Sequence, residues 1–254
     1  MTEPLLRIES ISVRFGGLTA VNDVSFDVTP GQVCALIGPN GAGKTTLFNA
    51  VSGHAIPTDG RILLRGAPIQ GLMPHVISAR GVRRTVQNGG LFADLTVLEN
   101  VLVGLHGSTP SSIAGTLFGT RTSMTAEHTA AAHARELLQM MQIAPLADHR
   151  AGGLSGGQQR MVEIVRALAT SPPLLLLDEP AVGLSPPMRA QLGTVIRQLA
   201  DQGLTVLLIE HAIELVMSIS DRIVVMSAGR KVADGTPEAV RADRTVLEAY
   251  LGHA

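Results

Sequence analysis

The sequence predicts an α/β protein, with a mixed-sheet core lobe, an antiparallel N-terminal sheet and an inserted helical subdomain. Three observations carry this. Strand-like runs fill the start of the chain and return after residue 170. Helical patterns dominate about 90–170. Between two apolar elements sits a glycine-rich turn, Gly38–Gly43. The expected organisation is one domain over 1–254, its core lobe about 1–88 and 171–254 and its helical subdomain about 89–170.

Leu5–Ile8, Ile11–Phe15 and Val24–Val28 alternate apolar and polar residues, the period of half-buried strands. Thr29-Pro30-Gly31 is a turn, and the uninterrupted apolar run Val33–Ile37 reads as a strand covered on both faces. Cys34 within it is a small buried hydrophobe. Arg61–Leu64 is a further strand with a short partner, and Pro74–Arg80 a helix. The Ser/Gly/Thr-rich stretch Gly107–Thr122 reads as an exposed loop or insertion. Helices follow over Met124–Gln142 and Gln159–Ala169. Leu174–Leu177 and Thr205–Ile209 are buried strands, separated by a helix over Pro187–Ala200. A helix over His211–Ser220 comes next, then Ile223–Met226 and Arg230–Val232 around the hairpin turn Ala228-Gly229, and two short helices.

Composition narrows the function classes. Of 254 residues, 20 are basic and 21 acidic, a net charge of −1, which argues against a protein that grips a nucleic-acid backbone. A single cysteine rules out an intrachain disulfide framework and fits a reducing compartment. The first residues hold no apolar core of a secretory signal, and no stretch nears the roughly 18 apolar residues of a membrane helix. The 27 glycines are an excess, expected where backbone turns sharply or approaches a ligand.

Gly38-Pro39-Asn40-Gly41-Ala42-Gly43-Lys44-Thr45 fits G-x-x-x-x-G-K-[ST], after a buried strand and before the helical run Thr46–Val51. In that context the loop amides and the helix N-terminus cradle phosphate. Lys44 reaches the β- and γ-phosphates, and the Thr45 hydroxyl ligates Mg²⁺. Leu174–Leu177 ends in Asp178-Glu179, acids at the carboxyl end of a buried strand, where such sheets bind ligands. Asp178 is the expected Mg²⁺ holder, and Glu179 the group that orients or deprotonates attacking water. The bland alternative for both acids is capping of the next element. Leu154-Ser155-Gly156-Gly157-Gln158 opens a long helix and reads as a second anion site, one able to serve a phosphate held by another copy of the chain. The competing reading is that Ser155 is only an N-cap.

Carrying these three motifs in this order, the chain resembles the ATP-binding subunits of ABC transporters over essentially its whole length. The family pattern places a glutamine between the first and third motifs, here Gln87, and a histidine after the strand following the second acid, here His211. The resemblance implies two copies closed head to tail around two ATP molecules. Each site would combine Lys44, Thr45, Thr46, Gln87, Asp178, Glu179 and His211 of one copy with Ser155, Gly156, Gly157 and Gln158 of the other. It assigns His211 to the γ-phosphate and Gln87 to Mg²⁺ and the attacking water. Phe15 falls where the family stacks an aromatic ring on adenine, against the alternative of a core phenylalanine. Ser185 replaces an aspartate common among relatives, leaving open how strongly the two sites couple.

Within the family, the chain is most similar to the branched-chain amino acid importer branch. The likeness rests on Arg84-Thr85-Val86-Gln87, Leu91-Phe92, Leu95–Val101, Ile209-Glu210-His211, Leu215-Val216-Met217, Gly235-Thr236-Pro237 and Ala249-Tyr250-Leu251-Gly252. Urea importers and lipopolysaccharide-export ATPases share much of this pattern. A non-transport ATPase clamp is disfavoured by the single set of motifs and the neutral charge. The resemblance implies ATP and Mg²⁺, transmembrane permease subunits, a second ATP-binding subunit, and indirectly a periplasmic or extracellular solute-binding protein. No nucleic-acid partner is expected. The implied location is the cytoplasmic face of the membrane, with about Asn88–Leu95 receiving a short helix of the permease.

Overall fold

The computed structural model describes residues 3–85, 90–105 and 121–251. The chain divides into two compact units: Met1–Arg84 with Pro173–Ala181 and Ile196–Ala254, and Thr85–Pro172 with Val182–Val195.

The first unit holds two sheets. Strands β1 (Leu6–Phe15), β2 (Leu18–Val28), β4 (Asp59–Leu64) and β5 (Ala67–Pro68) form an antiparallel sheet in the order β2-β1-β4-β5. The other comprises β3 (Val33–Ile37), β6 (Val82–Arg84), β7 (Leu174–Asp178), β8 (Thr205–Ile209), β9 (Arg222–Ser227) and β10 (Arg230–Gly235). Its order is β10-β9-β3-β8-β7-β6, parallel throughout except for the antiparallel β10. Every residue of β3, β7 and β8 is buried, as their unbroken apolar runs require. Cys34 lies fully buried there, and burial pushes its thiol up to about 12. Helix α1 (Lys44–Val51) drives Leu47 and Phe48 into a core shared with Ile8, Ile11, Val24 and Ile62.

The polar breaks that split the N-terminal strands in the sequence do not end them. Leu6–Phe15 runs through as one strand, its register shifting between Ile8 and Ile11, where Ser10 has a φ of 48°. Asp23 (φ 54°) makes a similar irregularity in β2, which begins at Leu18 rather than Val24. Such bulges absorb an extra residue without losing the inward face. The rest of this unit holds helices α2 (Pro74–Ala79), α7 (Ile213–Ile219), α8 (Pro237–Ala242) and α9 (Arg244–Leu251). Helix α7 starts two residues later than the sequence suggests, leaving His211 in the preceding loop.

In the second unit, α3 (Val97–Leu105), α4 (Arg121–Met140) and α5 (Gly156–Leu168) pack Val97, Val101, Ala134, Leu138, Met161 and Val165 against one another. Helix α6 (Pro186–Asp201) begins here and ends in the first unit. Gly104 lets α3 and α5 approach closely, since a Cβ there would meet the Arg166 carbonyl at 2.6 Å. Positions 107–120 of the expected insertion lie outside the described residues, and its last two residues open α4.

Candidate functional site

The phosphate loop is held by its neighbours. A Cβ on Gly38 would lie 2.0 Å from the Met226 carbonyl oxygen, and one on Gly43 2.3 Å from that of Ala20. Both residues also have positive φ, 148° and 94°, so glycine is needed twice over. Gly229 N–H donates to Ala42 O at 3.1 Å and Asn22 N–H to Gly229 O at 2.8 Å, tying the loop to the β9–β10 hairpin and to β2. Helix α1 has Gly43 as its N-cap and no side-chain cap, so no side chain of its own takes up its first amides. Asn40 and Gly41 are exposed, Pro39 and Thr46 half-buried.

Lys44 is buried, and its Nζ donates to Gly38 O at 2.7 Å and Pro39 O at 2.9 Å. Burial lowers its pKa, and the nearby charges of Glu179 and Asp178 oppose that. A phosphate would supply the acceptors that the two carbonyls supply here. Thr45, the next residue in the first turn of α1, is exposed.

Asp178 closes β7 at 1% exposure, and Glu179 follows with φ 49°, a conformation that non-glycine residues adopt at a cost. Glu179 N–H donates to Ile209 O at 2.9 Å, which fixes the acid beside β8. The strand alignment Asp178↔Ile209 then brings the residue two beyond Ile209 alongside. His211 Nε2 lies 3.1 Å from Glu179 Oε1, both side chains partly open to solvent. Sequence motifs 32 residues apart thus converge in a carboxylate–imidazole pair.

Mg²⁺ fits these groups. It prefers oxygen donors and usually takes only one or two from protein, the rest from phosphate and water. A Thr hydroxyl and an Asp carboxylate are such donors, and among the described residues no cluster of three or more His, Cys, Asp or Glu makes an all-protein cage. Gln87, the third expected metal contact, lies outside the described residues.

Ser155, Gly156, Gly157 and Gln158 open α5 in the second unit. Ser155 caps it: its Oγ accepts from Gln158 N–H at 3.3 Å, and Gln158 Oε1 accepts from Ser155 N–H at 2.9 Å. This reciprocal box was readable as Ser-x-x-Gln. A Cβ on Gly156 would meet nothing within 4 Å, and the residue is exposed, whereas Gly157 packs on Met188 and Leu184. Phe15 sits at the end of β1 with 55% of its surface exposed, so it is not a core residue. Two charged groups lie inside motifs quoted from the sequence but are given no role there. Arg84 forms an ion pair with Asp178 at 2.8 Å. Glu210 is 3% exposed beside His211, and burial raises its pKa. Arg84 stands inside the quartet ending in Gln87, but nothing in its spacing announces a contact with residue 178.

Comparison with known proteins agrees in kind. Residues 21–182 match the ABC transporter family, and residues 230–254 match the branched-chain amino acid ATP-binding cassette transporter family. The chain is 46% identical over 255 residues to the high-affinity branched-chain amino acid transport ATP-binding protein BraF of Pseudomonas aeruginosa, covering all of both chains. It is 43% identical to LivG of Escherichia coli K12, again over the full length of both. Among solved structures, an ATP-binding cassette of an ABC transporter in its ADP conformation superposes with a TM-score of 0.84 at 33% identity, covering 99% of this chain and 100% of that one.

Proposed function

The chain belongs to the ABC transporter family as an ATP-binding, ATP-hydrolysing subunit, and from that premise we propose that it powers uptake of branched-chain or other hydrophobic amino acids. The observation that carries the substrate class is the match of residues 230–254, covering β10, α8 and α9, to a family defined by branched-chain amino acid transport. Full-length identity to BraF and LivG supports it.

In this proposal Gly38–Thr46 wrap the phosphates, Lys44 turns from its two loop carbonyls to the β- and γ-phosphates, and Phe15 offers its exposed ring to adenine. Thr45, Asp178 and Gln87 hold Mg²⁺, which when bound neutralises charge on the phosphates. Glu179 orients the attacking water and accepts its proton, and His211, 3.1 Å away, meets the γ-phosphate. A second ATP-binding subunit brings Ser155, Gly156, Gly157 and Gln158 over the same ATP.

The partners are transmembrane permease subunits, which hold the chain at the cytoplasmic face of the cell membrane, with a solute-binding protein feeding them from outside. None of the described helices is long and apolar enough to cross a membrane itself. The exposed Phe92 supports docking near 88–95. Asn100, fully buried, accepts from Phe92 N–H at 2.8 Å and donates to Phe92 O at 3.0 Å, so the ring is presented from a fixed backbone.

Uptake of labelled leucine, isoleucine and valine in a deletion strain tests the cargo. Uptake is expected to fall, to recover with the wild-type chain and not with Glu179→Gln. Unchanged amino acid uptake alongside lost urea uptake would overturn the assignment. Purified Glu179→Gln is expected to bind ATP but turn it over about 10²–10⁴-fold more slowly.

A further inference from the structure

The geometry points to Arg84 as the residue that positions Asp178 for Mg²⁺, by bracing its carboxylate against the phosphate-loop helix. This rests on Asp178 being a metal ligand, as proposed above. Arg84 ends β6, which pairs with β7 in parallel (Arg84↔Leu176) and so carries the guanidinium toward the carboxyl end of β7. There Nη2 donates to Asp178 Oδ2 at 2.8 Å. The other arm, Nη1, donates to Asn49 Oδ1 at 2.7 Å and Ser52 Oγ at 2.8 Å. Asn49 lies in the last turn of α1 and Ser52 caps its C-terminus, while the first turn of the same helix carries Lys44 and Thr45. The guanidinium carbon lies 5.8 Å from the centre of the buried Phe48 ring, on the same helix.

One planar fork therefore joins the acid at the end of β7 to the helix that begins at the phosphate loop. Side-chain exposures of 15% for Arg84 and 1% for Asp178 shield the ion pair from water. A lysine cannot replace it, because a single ammonium cannot reach both arms' partners in that fixed geometry. Two effects of the guanidinium on a cation oppose each other: its positive charge repels the metal, while its hydrogen bonds fix the carboxylate that receives it. Partners that orient a metal ligand typically contribute 10- to 100-fold to metal affinity. On that scale orientation prevails, and the direction of the change on removing Arg84 tells which role it has.

The test is to titrate MgCl₂ against binding of a methylanthraniloyl-labelled ATP, alongside the same binding in EDTA. In Arg84→Ala the Mg²⁺ midpoint is expected to rise about tenfold or more. Binding in EDTA should stay within about twofold, which a general loss of structure would not allow. Arg84→Lys should fail to restore the midpoint, although it restores the charge. Should Arg84→Ala not fold, the double variant Asn49→Ala/Ser52→Ala keeps the ion pair and removes both partners of the brace, and a several-fold rise is expected. An unchanged or lower midpoint in the folded variants overturns the inference. Asp178→Asn separates the two levels: if it leaves the midpoint unmoved, the assignment of Asp178 to the metal fails, whereas a shift there with none at Arg84 overturns the role of Arg84 alone.

Discussion

Two helices of this protein begin at glycine-rich loops suited to anions, and they begin in opposite ways. Helix α1 starts from Gly43 in a left-handed conformation, with no side chain closing its end and with flanking carbonyls of Ala20 and Met226 pressed against the loop. Helix α5 starts from Ser155 in an extended conformation, closed by its own Ser155/Gln158 box, with open space around Gly156. The first is shaped by the rest of its unit and has no side chain of its own on its first amides. The second is closed at its end by its own residues. A loop that must hold phosphate by itself needs the first design. A loop that only completes a site held by another copy can use the second.

Substitutions can break this contrast, and the largest effect is expected at Gly38. Gly38→Ala forces a methyl into the Met226 carbonyl and should cost on the order of 4 kcal/mol, read as a fallen denaturant midpoint. A stable, nucleotide-binding Gly38→Ala would show that the loop is not braced as described. Lys44→Ala should leave the fold in place and weaken ATP binding by about 2 kcal/mol, roughly thirtyfold, in calorimetry. Wild-type affinity would remove Lys44 from the phosphate site. Ser155→Ala should lower stability by about 1 kcal/mol through the lost cap, within reach of chemical denaturation. The smallest effect on stability, and the sharpest on mechanism, belongs to Gly156→Ala. With room for the methyl it should stabilise α5 by about 0.5 kcal/mol. If the loop meets a phosphate held by a second copy, ATPase activity should drop nonetheless. Unchanged activity would leave Ser155 and its neighbours as a helix cap alone.

Local chemistry was legible in the sequence, and long-range partnership only where the family resemblance supplied it. The positions of Lys44, Asp178 and Glu179 at strand and helix ends follow from apolar runs that stop at polar residues. The capping box is written as Ser-x-x-Gln, but the same residues also suggest an anion site, and sequence does not choose between the two. The bulges at Ser10 and Asp23 disguise two long strands as several short ones, because a polar break looks the same whether the strand ends or merely kinks. Arg84 is harder still. Its partners lie 32, 35 and 94 residues away, and only the alignment of β6 with β7 brings the last of them within reach.

The link between Ala42 and Gly229 has a consequence for biosynthesis. Strand β3, which leads into the phosphate loop, lies between β8 and β9, and the loop's brace comes from the hairpin that follows β9. Residues near position 40 therefore leave the ribosome long before the chain that supports them. At about 5–20 residues per second, the interval from residue 42 to residue 229 is on the order of ten seconds or more. Until β8 is made, for most of that time, the apolar β3 lacks both its neighbours, and a nascent chain halted before the hairpin would carry the whole phosphate-binding motif without the contacts that shape it.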